Sequence, residues 1–344
     1  MENRNVIGLD LAKNIFQVHI ADSRGKKVKT MRLRRNQLIT TLGMQSPALI
    51  GVEASGGAHH WARELQKLGH EIKIMAPQHV KPYVKGNKTD ARDAEAICEA
   101  AARPAVPKIR VRNVDQQQIQ ALHRTRELWM KQRIATSNQA RGLLTEFGYI
   151  FPVSYRKLLN DIPVWLGQPD NPGILQQLIE ELYQQLLHLD QKIQHIEARL
   201  KAFLKEDPKI RLIESIPGIG LLTATAFIAS FGDASSYSSG RKLASAIGLT
   251  PREYSSGEKR VRMGISRRGN PYLRSLLVHR ARAVLINRKK KPENDWIEQL
   301  VARRGYNVAT VALAAKNVRR IWAILQSGEV YDPDHEIKRE LQSA

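Results

Sequence analysis

Apolar residues in the first seventy-five positions recur at the spacing of strands. Val6–Leu9, Phe16–Ala21 and Lys27–Leu33 read as strands, with alternating polarity in the middle of the set and Asp22-Ser23-Arg24-Gly25 as a turn. Ala48–Val52 is a nearly continuous apolar run, the pattern of a strand covered on both faces. Trp61–Leu68 takes helical spacing and stops at Gly69, and Glu71–Met75 returns to strand spacing. From Thr89 to Ala102 the alanine-rich stretch has high helix propensity, with Asp90 and Asp93 in its first turn, where negative charge suits the helix dipole.

Past Pro104 and Pro107 the pattern turns helical. One helix is predicted from about Asp115 to Phe147, amphipathic but rich in Gln and Arg. The stretch 148–173, which carries Pro152, Pro163, Pro169 and Pro172, breaks that helix. Then Leu175, Ile179, Leu182, Leu186, Leu189, Ile193, Ile196, Leu200 and Phe203 follow in alternating steps of four and three, the heptad rule. This predicts a helical arm that either folds back on its neighbour or pairs with a second copy, closing at Asp207-Pro208. Beyond it, Ile213–Ala226 reads as helix, tight turn, helix, with Gly218 and Gly220 in the turn. Amides at the start of such a helix can bind phosphate without reading bases; a plain helical hairpin is the alternative.

Charge adds a partner to this outline. The 344 residues carry 55 Lys+Arg against 33 Asp+Glu, a formal charge of +22. That excess favours a polyanion. It is uneven, with net values of +7 for 1–104, +3 for 105–208 and +12 for 209–344, and residues 252–291 hold 13 basic and 2 acidic side chains. The nucleic-acid signal therefore concentrates in the last third. No apolar run reaches transmembrane length, Met1-Glu2-Asn3-Arg4 leads straight into the first strand, and Cys98 is the lone cysteine. These features predict a non-membrane, cytoplasmic protein in a reducing compartment, with Cys98 a small buried helix residue.

Four acids stand where metal chemistry needs them: Asp10 and Glu53 end or follow core strands near glycines, and Asp90 and Asp93 share one helix face at i, i+3. Singly, each is an ordinary strand-end or capping acid. Converging on one point they would repel each other unless cations intervened. Oxygen donors favour Mg²⁺ or Mn²⁺, and no Cys/His cluster offers a zinc site; His59-His60 reads as a capping or surface pair. Two bound ions would suit phosphoryl transfer.

Five motifs then occur in order: Gly8-Leu-Asp10-Leu-Ala-Lys13, Gly51-Val-Glu53-Ala-Ser-Gly56, Asn87-Lys-Thr-Asp90-Ala-Arg-Asp93-Ala, Ile216-Pro-Gly-Ile-Gly220, and Gly248-Leu-Thr-Pro-Arg-Glu-Tyr254-Ser-Ser-Gly257. Over essentially its whole length the chain resembles the DEDD insertion-sequence transposases, which include pilin-gene invertases and bridge-RNA-guided recombinases. The resemblance implies an α/β plus α fold: a RuvC-like (RNase H-type) metal-binding domain at 1–110, a helical coiled-coil arm at 111–207, and a mostly helical transposase domain at 208–344. It implies that Asp10, Glu53, Asp90 and Asp93 form the metal-binding tetrad. It also implies a nucleophilic serine just before Gly257, a slot that Ser256 fits with Ser255 beside it. On residues alone a Ser-Ser-Gly is a flexible loop.

Arg252, Lys259, Arg260, Arg262, Arg267, Arg268 and Arg274, with Arg280 and Arg282, are the candidate phosphate contacts, joined by the Gly218–Gly220 turn. Arg288–Lys291 reads as a solvated charge run, and Trp296 and Trp322 as core. The leading expectation is a site-specific DNA recombinase that moves its own element. It would bind double-stranded DNA at the element ends and target, be guided by a non-coding RNA as the resemblance implies, and assemble as a homodimer or homotetramer through the 174–204 heptads. A hydrolytic nuclease of junction-resolvase type and a non-catalytic DNA-binding protein are the competing readings.

Overall fold

The computed structural model describes residues 4–87, 89–256, 259–287 and 296–333; the side chains of Arg260 and Arg262 also fall outside the described set. Lys88, Gly257 and the Arg288–Lys291 run therefore lie outside the described residues. The chain divides into two compact units, residues 1–114 and 115–344.

The first unit is a mixed five-stranded sheet clothed by helices. Its elements are β1 (Val6–Asp10), β2 (Ile15–Ala21), β3 (Lys27–Arg34), α1 (Leu38–Gly43), β4 (Leu49–Glu53), α2 (Ala58–Lys67), β5 (Glu71–Met75), α3 (Pro77–Val80) and α4 (Asp90–Ala102). The sheet order is β3-β2-β1-β4-β5; β1 pairs antiparallel with β2 and parallel with β4, and β4 pairs parallel with β5. The strands predicted from apolar spacing match these to within one residue at each end.

One face of the sheet carries Ile7, Leu9, Phe16, Val18, Ile50, Val52 and Ile74, buried with Leu38 and Leu42 of α1 and Trp61, Ala62 and Leu65 of α2. The opposite face takes α4, which packs on β1, β2 and β4. That double cover is why β1 and β4 read as continuous apolar runs. β3 is an edge strand, and of its residues only Leu33 is buried.

The second unit is helical apart from one hairpin. It holds α5 (Val114–Glu146), α6 (Tyr155–Leu166), α7 (Gly173–Glu206), α8 (Pro208–Glu214), α9 (Leu221–Phe231), α10 (Gly240–Ile247), the hairpin β6 (Pro251–Ser256) and β7 (Lys259–Ile265), α11 (Pro271–Ile286), α12 (Trp296–Arg304) and α13 (Tyr306–Ser327). Arg126–Glu197 and Arg133–Asp190 ion pairs, each at 2.7 Å, tie α5 to α7. Their residue numbers fall as the others rise, so the two helices run antiparallel.

The heptad stripe of α7 is spent inside the chain. Leu175, Ile179 and Leu186 pack with Ala140 and Leu144 of α5 and Leu158, Ile162 and Trp165 of α6, while Ile196 and Leu200 pack with Ile119 and Ala229. Each fully buried Leu or Ile stabilises the fold by roughly 1.5–3 kcal/mol. The stripe is thus not the contact surface for a second copy, which corrects the sequence expectation. The proline-marked stretch ends α5, as expected, and also holds a helix of its own. It contains α6, whose Leu158, Ile162 and Trp165 fall on one helical face, with Pro163 in its last turn. Among the described residues no helix is long and apolar enough to cross a membrane.

Candidate metal centre and serine hairpin

A pair of glycines builds the acidic site. Gly8 on β1 lies directly opposite Gly51 on β4. A Cβ at Gly8 would overlap the Ala94 carbonyl and sit 2.5 Å from the Cys98 amide nitrogen; one at Gly51 would sit 2.5 Å from Cβ of Ala101. The two glycines form a bare strip on which the small-residue face of α4 rests backbone to backbone. Cys98 is buried there, donating to the Val6 carbonyl at 3.3 Å, and burial pushes its thiol up to about 11. It is an inert packing residue, as its sequence context indicated.

This close contact carries the first turn of α4 to the end of β1. Thr89 caps α4, its hydroxyl accepting from the Arg92 amide, and Asp90 and Asp93 follow in the first turn. One carboxylate oxygen from each of Asp10, Asp90 and Asp93 lies within 4.8 Å of the others. Opposite ligands on Mg²⁺ are roughly 4.2 Å apart, so the three oxygens already sit close to the span of one hard cation. The donor set is all oxygen, which fits Mg²⁺ or Mn²⁺. Glu53 ends β4 half-buried; the last β1–β4 pair is Leu9 with Val52, so Asp10 and Glu53 are the next residues on adjacent strands. Its carboxylate is not one of the three clustered groups.

His59 lies apart from this cluster. Its Nδ1 accepts from the Arg112 amide at 3.2 Å, and burial together with Arg112 and Arg63 lowers its pKa to about 4. It is a structural acceptor.

In the second unit the serines lie on a strand rather than in a loose loop. β6 is exposed along its length, with Ser255 opposite Arg260 and Ser256 opposite Lys259. Strand alternation turns the two serines to opposite faces. Ser255 donates to Glu253 Oε1 at 2.9 Å, whereas Ser256 shares its face with the exposed Tyr254. The Glu253–Ser255 pairing escaped sequence reading, although an acid two residues before a serine on a strand was its available signal.

The basic candidates divide by what they touch. Arg252, Lys259, Arg267 and Arg268 are exposed. Arg274 instead donates through Nη1 to the carbonyls of Ile247, at 3.1 Å, and Arg268, at 2.7 Å, closing the end of α10. In the 217–220 turn Gly218 takes φ +84°, and a Cβ there would overlap Val284 on α11. Gly220 begins α9 beside the guanidinium of the exposed Arg280. Trp322 donates to the Tyr237 carbonyl at 2.9 Å and packs against the helical core, while Trp296 is 38% exposed with Lys316 over its ring.

Comparison with known proteins gives this geometry a context. Residues 7–149 match the IS110-type DEDD transposase family, and residues 210–296 match the family described as "Transposase IS116/IS110/IS902 family". A "Probable family 20 transposase" of Pseudomonas aeruginosa is 42% identical, over 96% of this chain and 99% of that protein. The chain belongs to the IS116/IS110/IS902 transposase family. The transposase of insertion sequence element IS1111A from Coxiella burnetii is 40% identical, over 96% of this chain and 92% of its own length. A pilin gene-inverting protein of Moraxella bovis is 26% identical, over 96% and 98%. This transposase is therefore an enzyme of DNA recombination, and its DEDD domain and acidic cluster fit use of a divalent metal.

Proposed function

We propose that this transposase cuts and rejoins the DNA of an insertion sequence through a serine–DNA phosphodiester, with Mg²⁺ or Mn²⁺ held by Asp10, Glu53, Asp90 and Asp93. The convergence of three carboxylates on one point, where they would repel each other without a cation, is the observation that carries the reading. A bound ion would supply Lewis-acid stabilisation of charge on the phosphate oxygens. Asp10, Asp90 and Asp93 grip it, and Glu53 on the adjacent strand completes the set.

Ser256 Oγ attacks phosphorus, a P–O bond to deoxyribose breaks, and the sugar leaves as a free hydroxyl. A hydroxyl of the new partner strand then attacks the phosphoserine, restoring a DNA phosphodiester and free Ser256. Lys259, paired with Ser256 across the hairpin, offsets charge on the phosphate. Arg252, Arg260, Arg262, Arg267 and Arg268 hold the backbone around it, with the Gly218–Gly220 amides as a further phosphate contact. Arg274 supports that surface by holding the 268 carbonyl.

The reading includes the RuvC-like character of residues 1–110, the coiled-coil arm at 111–207 and the transposase domain at 208–344. It also includes a guide RNA on the basic surface, cytoplasmic action at the nucleoid, and a homodimer that becomes a tetramer on DNA. Two-site strand exchange needs at least two active centres, and their contact lies outside the α7 stripe.

Manganese calorimetry on the full chain, paired with a DNA-cutting assay, tests the metal half. Asp10→Asn and Asp93→Asn are expected to weaken Mn²⁺ binding at least tenfold and abolish cutting, as EDTA does in the wild type. Wild-type cutting by Asp10→Asn would end this reading.

A further inference from the structure

The edge of the first unit's sheet carries a concentration of positive charge that no step above uses. Residues 24–35 contain seven basic side chains, Arg24, Lys26, Lys27, Lys29, Arg32, Arg34 and Arg35, and no acid. A basic run on an edge strand is often only a device against sheet-to-sheet aggregation. Three observations separate Arg32, Arg34 and Arg35 from that reading.

The first is register. Asp10 pairs with Gln17, and Gln17 pairs with Arg32, so the three residues form one row across β1, β2 and β3. Directly paired residues project to the same face, so Arg32 shares the face of Asp10, two strand spacings or about 10 Å away. Arg34, paired with Ile15, is the next residue on that face toward the end of the sheet where Asp10 lies. Gln17 between them is a neutral amide, which keeps acid and base from quenching each other.

The second is cover. The helix α4 packs on β1, β2 and β4, and both Arg32 and Arg34 are exposed. Neither guanidinium has a carboxylate partner among the described residues. Two unpaired arginines beside a cluster of three acids leave charge available for an anion that the acids themselves repel.

The third is shape. Arg35 lies over the Trp61 ring on the opposite, α2 face of the sheet, with its guanidinium carbon 4.9 Å from the ring centroid, and its amide bonds the Asn14 carbonyl at 3.0 Å, which pins the backbone just past Arg34. Asn14, Ile15, Arg34, Arg35 and Asn36 line a shallow depression there, so the basic rim is concave and carries amide donors and acceptors.

We infer that Arg32 and Arg34, on a strand end pinned at Arg35, bind the phosphates flanking the scissile one, on the DNA strand that lies across the Asp10–Asp90–Asp93 cluster. Gln17 is buried, so the strand leaves the metal centre around the end of the sheet, past the exposed Ile15, and runs onto its edge at Arg34 and Arg32. This rests on the metal-centre reading above for its direction, but not for the phosphate contacts themselves. These arginines are positioning residues that fix which phosphate meets the acids.

The test uses the full chain and two 30-base-pair probes of the same sequence, one DNA and one RNA, with binding followed by anisotropy from low to moderate salt without divalent metal. Each lost phosphate contact lowers the slope of log K against log salt by about 0.9 on duplex DNA. Arg32→Ala/Arg34→Ala is expected to flatten the DNA slope by about 1.8, and Arg32→Lys/Arg34→Lys is expected to restore it. Asp10→Asn is expected to leave the slope unchanged while abolishing metal-dependent cutting. An unchanged slope in the double alanine variant, or a loss confined to the RNA probe, overturns the inference. If the slope falls but Asp10→Asn still cuts, the contacts stand and the metal-centre reading fails instead.

Discussion

At the scale of single residues, the site depends on two side chains that are missing. Gly8 and Gly51 carry no chemistry, yet a methyl group on either would displace α4 and the two acids in its first turn. Gly8→Ala is expected to cost about 1–3 kcal/mol, the usual range for forcing atoms into a packed contact, and to weaken Mn²⁺ binding together with stability. Thermal unfolding and manganese titration on the same preparation check this; an unchanged melting temperature would show that α4 accommodates the methyl group. Both glycines stand inside motifs visible in the sequence, next to the acids they serve. Their packing role was not legible there, because it depends on which helix faces them.

At the scale of elements, regular patterns were readable and exposed or short ones were not. The five strands and the long helices α5 and α7 follow from apolar spacing, most clearly in β1, β4 and α7, which bury continuous stripes. α6 was hidden by its flanking prolines. The β6–β7 hairpin was hidden because its exposed polar residues carry no burial signal. The second unit also encloses a polar chain that periodicity cannot reveal. Tyr272 contacts Nδ1 of His123 at 3.0 Å, Nε2 of His123 contacts Thr225 Oγ1 at 2.9 Å, and Thr225 donates to the Leu221 carbonyl at 2.6 Å. Because Thr225 gives its proton to Leu221, it accepts from Nε2, and the neutral ring accepts from Tyr272.

Burial, reinforced by Arg126, lowers the pKa of His123 to about 4. The unfolded chain, with a histidine near 6.5, binds the proton first. This contribution is therefore complete above about pH 6.5, declines as pH falls from there toward 4, and amounts to roughly 3 kcal/mol. Urea unfolding followed by a probe in the second unit should show that loss in the wild type and a smaller one in His123→Gln. Equal slopes in the two proteins would assign the pH dependence elsewhere.

At the scale of the whole molecule, the chain separates its chemistry. The acids belong to the first unit and the serine hairpin to the second, and each unit has its own hydrophobic core. The family and the approach of Asp10, Asp90 and Asp93 to one another were legible in the sequence, because the motifs are local and their order is distinctive. The choice between Ser255 and Ser256 was not. In the structure Ser255 donates to Glu253 and Ser256 lies on the opposite face of the strand. The partner of the α7 stripe was misread for a related reason, since a heptad stripe looks the same whether it packs on another molecule or on the same chain.

The proposal that the protein rejoins DNA rests on that hairpin, and one measurement addresses it most directly. The full transposase is incubated with Mg²⁺ and a nicked suicide substrate bearing the element junction, denatured, digested and read by mass spectrometry for a nucleotide-bearing peptide. The account predicts a phosphodiester adduct on Ser256, lost in Ser256→Ala and retained in Ser255→Ala. DNA cut with no adduct in any of the three proteins would contradict it and leave a metal-dependent hydrolase.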